Sequence, residues 1–297
     1  MYSENQISEL FGDASLKYLK NKHKGGISNE RGNTYENFFA AYKIALLSAS
    51  AIEQRSEIKF YSQILSFVDD LVILYEAENR LQHHQLKNSP SITWGSSLKS
   101  IADDFAKQEA LNRSINRRSE MVLVVSDRRL QQRLATTCPP QIQAFSQVMH
   151  FPSSKNLMEV VYAVPEFFEA IKYLCAFEDP RSDKIECVAK VLLGVWAADA
   201  KSDVSILDIL TKAQDSSPSF IRSFDDTLLL DSEVARILSN ITGLSYSLSK
   251  GFLHWQYGNN IDQGTIPYRI GHPNFDRFQN RIKASEPTTF EAFEVLL

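Results

Sequence analysis

The hydrophobic and polar positions of this chain change period several times. Residues 34–56, TYENFFAAYKIALLSASAIEQRS, place apolar residues at the spacing of a helix turned toward a core. Asn33 followed by Glu36 fits a capping box at its start. Residues 66–89, SFVDDLVILYEAENRLQHHQLKNS, instead read as two strands, 67–74 and 81–88, about the loop YEAENR. A Ser-rich turn, SPSITWGSS, precedes a helix in SLKSIADDFAKQEALNR, and the β-branched run EMVLVVSD at 120–127 predicts a buried strand. The order helix, strand, strand, helix, strand predicts an α/β domain over roughly 27–135. A helical lead-in over 1–26 and a flexible link in GGISNERGN precede it.

Beyond the CPP at 138–140 the spacing turns helical. NLMEVVYAVPEFFEAIKYLCAF, KIECVAKVLLGVWAADA, VSILDILTKA and DSEVARILSNITGLSYSLSKGFLHWQ all read so, with loops at PRSD, QDSSPS and YGNNIDQGTIP. The expected organisation is thus a domain over 1–135 and a mostly α-helical one over 136–297. His150, His254 and His272 have no neighbour at ligand spacing and read as structural.

Composition narrows the classes. With 43% apolar and 23% charged residues, wholesale disorder is excluded. No apolar run approaches the ~20 residues of a membrane helix, and MYSENQISELFGD lacks a secretory apolar region. Cys138, Cys175 and Cys187 form no CxxC pair, so neither a disulfide framework nor a cysteine zinc site is supported. The expected location is cytoplasmic, away from membranes. The net charge of −4 argues against a uniformly basic polyanion binder. Charge is uneven, however: between Lys107 and Arg133 seven basic residues stand against three acidic ones, and KYLKNKHKGG holds four lysines. Each run reads either as a phosphate-binding face or as a solvated helix face. Arg113, Arg117 and Arg118 are the candidate nucleic-acid contacts. Trp94 offers a ring for base stacking, though burial in the core would explain it as well.

Chemistry concentrates in the hairpin. Pairing 67–74 with 81–88 about the loop sets Asp70 opposite Gln85 on one face. Lys87 shares that face, because side chains repeat every second residue. A one-residue slip would substitute Asp69. Carboxylate and amide oxygens suit Mg²⁺, which retains waters and shares positions with phosphate. A nearby lysine can orient an attacking water or help remove its proton. These are the parts for in-line hydrolysis of a phosphodiester. His83 shares the Gln85 face and His84 points away; adjacent strand residues diverge, so the pair makes no metal site.

An acid on one strand, Gln85-x-Lys87 on the next, a preceding Glu-bearing helix and a following helix and strand resemble the PD-(D/E)XK nuclease superfamily. GNTYENFFAAY, FVDDLVI, HQLKNS and SIADDFAKQ are similar to the N-terminal nuclease domains of antiphage defence effectors, the CBASS double-strand DNA endonucleases and Lamassu nuclease subunits. The resemblance covers 27–130. It implies a restriction-endonuclease-like mixed-sheet core followed by the helical domain. It makes Asp70, Gln85 and Lys87 catalytic, with Asp70 and Gln85, joined by Glu36 and Asp69, holding Mg²⁺ or Mn²⁺. Gln85 departs from the family's usual glutamate. Gln108 resembles a helical glutamine of that family, and a structural hydrogen bond explains it equally. The implied function is a Mg²⁺-dependent endodeoxyribonuclease acting on double-stranded DNA. No GxxxxGK[ST] motif is present, so gating would come from a partner ATPase, SMC-like protein or helicase subunit, and a homo-oligomer is also open. The alternative is a catalytically silent nuclease fold that binds DNA or serves as a scaffold.

Overall fold

The first helix starts at a capping box. Ser3 Oγ accepts the Gln6 N–H at 3.2 Å and Gln6 Oε1 accepts the Ser3 N–H at 2.8 Å, opening α1 (Glu4–Phe11). The structure, a computed structural model, describes residues 2–29, 34–198, 203–225, 227–259 and 261–297, with side chains throughout except at 24–29. Helix α2 (Asp13–Asn29) continues through Gly25 and Gly26 rather than yielding to a flexible link there, while residues 30–33 of that link lie outside the described residues. The Asn33–Glu36 capping box falls outside them too.

Helix α3 (Thr34–Glu53) leads to β1 (Ile58–Tyr61), a strand the sequence reading passed over. β2 (Leu71–Tyr75) and β3 (Arg80–Lys87) form the expected hairpin. Its loop closes on Asn79 at φ 51°, and the Arg80 guanidinium lies 3.9 Å from the Tyr75 ring centroid. Helix α4 (Ile101–Ser114) is capped by Ser100 and carries Asp103 and Asp104 in its first turn, where the helix dipole favours acids. β4 (Arg118–Val125), α5 (Arg128–Thr136), α6 (Pro140–Gln143) and β5 (Ser146–His150) follow.

The resulting six-stranded sheet has the order β5-β4-β3-β2-β1-β6, with β6 at Val204–Ser205. β1, β2 and β3 form an antiparallel meander, β4 runs parallel to β3, and β5 parallel to β4. The chain is therefore mixed α/β. Phe105, Met121, Leu123, Val125 and Leu130 pack together on the α4–α5 face. Phe39 of α3 meets His84 and Phe151 on the other, at 5.2 and 5.1 Å between ring centroids. Burial worth about 1.5–3 kcal/mol per large apolar side chain fixes this register, and the register carries polar residues inward with it.

Because β5 joins this sheet, the expected boundary at 135 does not hold. Contacts divide the chain into Met1–Ala170 with Leu192–Leu210, and Ile171–Val191 with Thr211–Leu297. Helices α7 (Leu157–Ala163), α8 (Pro165–Leu174), α9 (Ser182–Ala198) and α10 (Ile206–Ser216) follow the expected pattern. The expectation of a mostly helical second domain fails after α11 (Ser232–Ser239). There β7 (Leu244–Ser249), β8 (Phe252–Tyr257) and β9 (Asp262–Thr265) form an antiparallel sheet. LSYSLS alternates at the strand period, and Lys250-Gly251, with φ 52° and 78°, makes a two-residue hairpin turn. Helices α12 (Pro273–Ser285) and α13 (Phe290–Glu294) supply Phe275, Phe278, Ile282 and Phe293 to a core shared with Val234, Leu238 and Leu253.

Candidate active site

The pairing Leu71↔His84, carried one residue further, sets Asp70 opposite Gln85. Asp70 stands just before β2, not inside a strand as read from 67–74. Its Oδ2 accepts the Leu86 N–H at 2.7 Å and is also bonded by the Gln85 amide nitrogen. Lys87, two residues beyond Gln85, is half-buried at the end of β3. The structure thus brings Asp70 and Gln85 into contact with Lys87 beside them.

The acids are delivered by a folded loop between β1 and β2. Gln63, at φ 53°, donates its N–H to Asp69 O at 2.8 Å, and Ser62 Oγ donates to Asp70 O at 2.9 Å. Gln108 of α4 accepts the Phe67 N–H at 2.8 Å, so this helical glutamine clamps the loop's backbone. His83 bonds Val68 O at 2.8 Å, and burial lowers its pKa to about 4. It is a neutral brace under the loop. His84 bonds Leu71 O at 3.1 Å, and burial holds its pKa well below the usual histidine range.

Glu36 accepts from the Gln63 amide at 3.3 Å. Burial first, and then the Asp70 charge, push its pKa to about 8, while Lys87 opposes the shift. Asp69 is only 2% exposed. Burial raises its pKa to about 7; the charges of Lys22 and Lys87 work against this and that of Asp70 with it. Its Oδ1 has no hydrogen-bond partner among the described residues. The three acids and Lys87 therefore share one electrostatic neighbourhood.

Two participants escaped the sequence reading. Lys22, noted only as part of a basic run, turns its ammonium inward. It bonds Phe67 O, Gln85 Oε1 at 3.3 Å and Asp104 Oδ2 at 3.4 Å, and stands 3.6 Å from Asp69 Oδ1. Burial opposes its charge, but Asp69 and Asp104 outweigh that and raise its pKa. Asp104, buried in the first turn of α4, also accepts the Tyr18 hydroxyl at 3.1 Å. An acid one helical turn before Gln108 was the available signal for it.

The proposed nucleic-acid contacts lie elsewhere. Trp94 is buried and its Nε1 donates to Leu134 O at 2.9 Å, so it is a core residue with no face open for a base. Arg118 pairs with Arg80 at the start of the β3–β4 ladder, whereas Val125 pairs with Lys87 at its end. That is about 23 Å at ~3.3 Å per residue, which puts Arg117 and Arg118 at the end of the sheet remote from Lys87. Arg113 and Arg117 are also ion-paired, to Glu109 and Glu76. Arg128 and Arg129, exposed just past Val125, lie instead at the Lys87 end of the ladder.

No family model matches the chain, and no curated protein or solved structure does either.

Proposed function

We propose that this chain is a metal-dependent endonuclease that hydrolyses phosphodiester bonds in double-stranded DNA, the effector of an antiphage defence system. The observation that carries this reading is the register setting Asp70 against Gln85, with Lys87 on the same face. The helix, antiparallel meander, helix and parallel strand running from α3 to β4 support it further, because the same order characterises the restriction-endonuclease-like core that the sequence resembles.

The donor set fits a hard cation in kind. Asp70, Asp69 and Glu36 offer carboxylates, the Asp70 charge helps to raise the pKa of both Glu36 and Asp69, and Asp69 Oδ1 is a buried oxygen without a hydrogen bond. Among the described residues no three His, Cys, Asp or Glu side chains cluster tightly enough to hold a metal alone. Asp70 and Glu36 would therefore share the ion with the Gln85 oxygen, waters and substrate phosphate. When bound, Mg²⁺ would supply charge neutralisation at the transferring phosphate and lower the pKa of a coordinated water. Lys87 orients the attacking water and pairs with a phosphate oxygen. The Leu86 N–H fixes the Asp70 carboxylate. Arg128 and Arg129 hold the flanking backbone. Activity is gated by a partner ATPase, SMC-like protein or helicase, in keeping with the resemblance.

Incubation of the full chain with plasmid in Mg²⁺, Mn²⁺ or EDTA tests this reading. Metal-dependent cleavage lost in Asp70→Ala and Lys87→Ala supports it; cleavage indifferent to both substitutions overturns the site. One observation favours the silent DNA-binding alternative: the Gln85 oxygen faces Lys22 rather than Asp70. DNA bound tightly but left whole under every metal would select that reading.

A further inference from the structure

The two ends of the Gln85 amide are held by opposite partners. Its nitrogen donates to Asp70 Oδ2, and its oxygen accepts from Lys22 at 3.3 Å. A hard cation shared with Asp70 needs the oxygen, not the nitrogen. Turning the amide over would aim its two N–H donors at the Lys22 ammonium, a donor that has nothing to accept with. Gln85 is 3% exposed, so water has little room to separate them. We infer that Lys22 is a positioning residue that holds Gln85 in its cation-refusing orientation, so that cation entry at Asp70–Gln85 and seating of Lys22 exclude one another.

This inference rests on the reading of the cluster as a cation site and adds its control. Lys22 is an internal substitute for the metal: it offsets Asp69 and Asp104 in the absence of the ion. Its fit is imperfect. The ammonium stands 3.6 Å from Asp69 Oδ1, which is left without a hydrogen bond. A divalent ion carries twice the charge and draws carboxylates closer. Lys22 belongs to α2, and Ile7 of α1 and Leu19 of α2 pack with Phe67 and Leu111. Withdrawal of the ammonium therefore loosens α2 at the very loop that presents the acids. Cation binding and docking of the N-terminal helices become one equilibrium.

Binding of Mn²⁺ to the full chain, followed by the loss of its free-ion paramagnetic resonance signal, tests this without any cleavage assay. Lys22→Met and Asp104→Asn, the second of which removes a charge partner of Lys22 without altering the Asp70–Gln85 pair, should each bind Mn²⁺ about tenfold more tightly than the parent, a usual size for coupled sites. Lys22→Arg should stay near the parent. Saturating Mn²⁺ should speed hydrogen exchange of the α2 amides in the parent. Unchanged affinity in both Lys22→Met and Asp104→Asn, with binding still abolished by Asp70→Asn, overturns the inference and leaves the cation site standing. So does α2 protection that Mn²⁺ does not alter. Absence of binding in every variant overturns the inference and the cation site together.

Discussion

The Leu86 backbone N–H and Asp70 are joined across 2.7 Å, which ties the last turn of the acidic loop to the strand that carries Lys87. Asp70→Asn keeps an acceptor for that N–H but removes the charge. Its thermal stability should stay close to the parent's, while cleavage in Mg²⁺ falls by roughly a hundredfold or more, the scale of losing one electrostatic contact to a transition state. Asp70→Ala should in addition lose about 1–3 kcal/mol of stability from the abandoned donors. Denaturant melts beside plasmid assays separate the two effects.

Gln85→Glu restores a carboxylate against Asp70. In EDTA the adjacent like charges should lower the melting temperature; in Mg²⁺ the stronger donor set should recover it and tighten metal binding. A melting temperature that falls equally in both buffers would count against a shared cation.

Glu36 and Asp69 set a pH window. Their folded pKa values, about 8 and about 7, lie above ordinary values of 4.5 and 3.8. The folded state thus binds more protons than the unfolded one across that interval, and stability falls as pH rises through it. The contribution is complete below the ordinary values and gone above about pH 8. In EDTA, melting temperatures should decline from pH 6 to 8.5. The increase produced by Mg²⁺ should grow over the same range, because the ion requires Glu36, one of its carboxylates, deprotonated.

Charge reversal at Arg128 and Arg129 should weaken DNA binding and reduce its salt dependence by about two ions' worth. The same change at Arg117 and Arg118, at the other end of the sheet, should leave affinity within twofold. Trp94→Ala should cost about 3–5 kcal/mol of stability with no selective loss of DNA affinity, as measured by titration at several salt concentrations.

The hairpin was legible because two apolar runs bracket a short polar loop; packing of Val72 and Leu74 with Leu81 then selects the register that carries Asp70, rather than Asp69, to Gln85. β1 was not, since IKFY is too short to display a period. The strands β7 and β8 were passed over although LSYSLS alternates cleanly, because a long helical-looking segment absorbed them. Lys22 could not have been read from its own neighbourhood: nothing in KYLKNKHKGG separates Lys22, which turns inward, from Lys17 and Lys20, which are exposed. Partnership between residues 22, 85 and 104 is a property of packing, and only tertiary structure supplies it.

The late return of the chain to its first sheet has a practical corollary. Val204 pairs with Phe60 and Trp196 packs on it at 6.1 Å, while Ser146–His150 flanks the opposite side. A clone ending at residue 135 would strip both borders from the layer that carries Asp70 and Lys87, exposing bare strands that invite aggregation. The unit that carries the candidate site is discontinuous in sequence, Met1–Ala170 with Leu192–Leu210, so its expression requires the chain at least through Leu210.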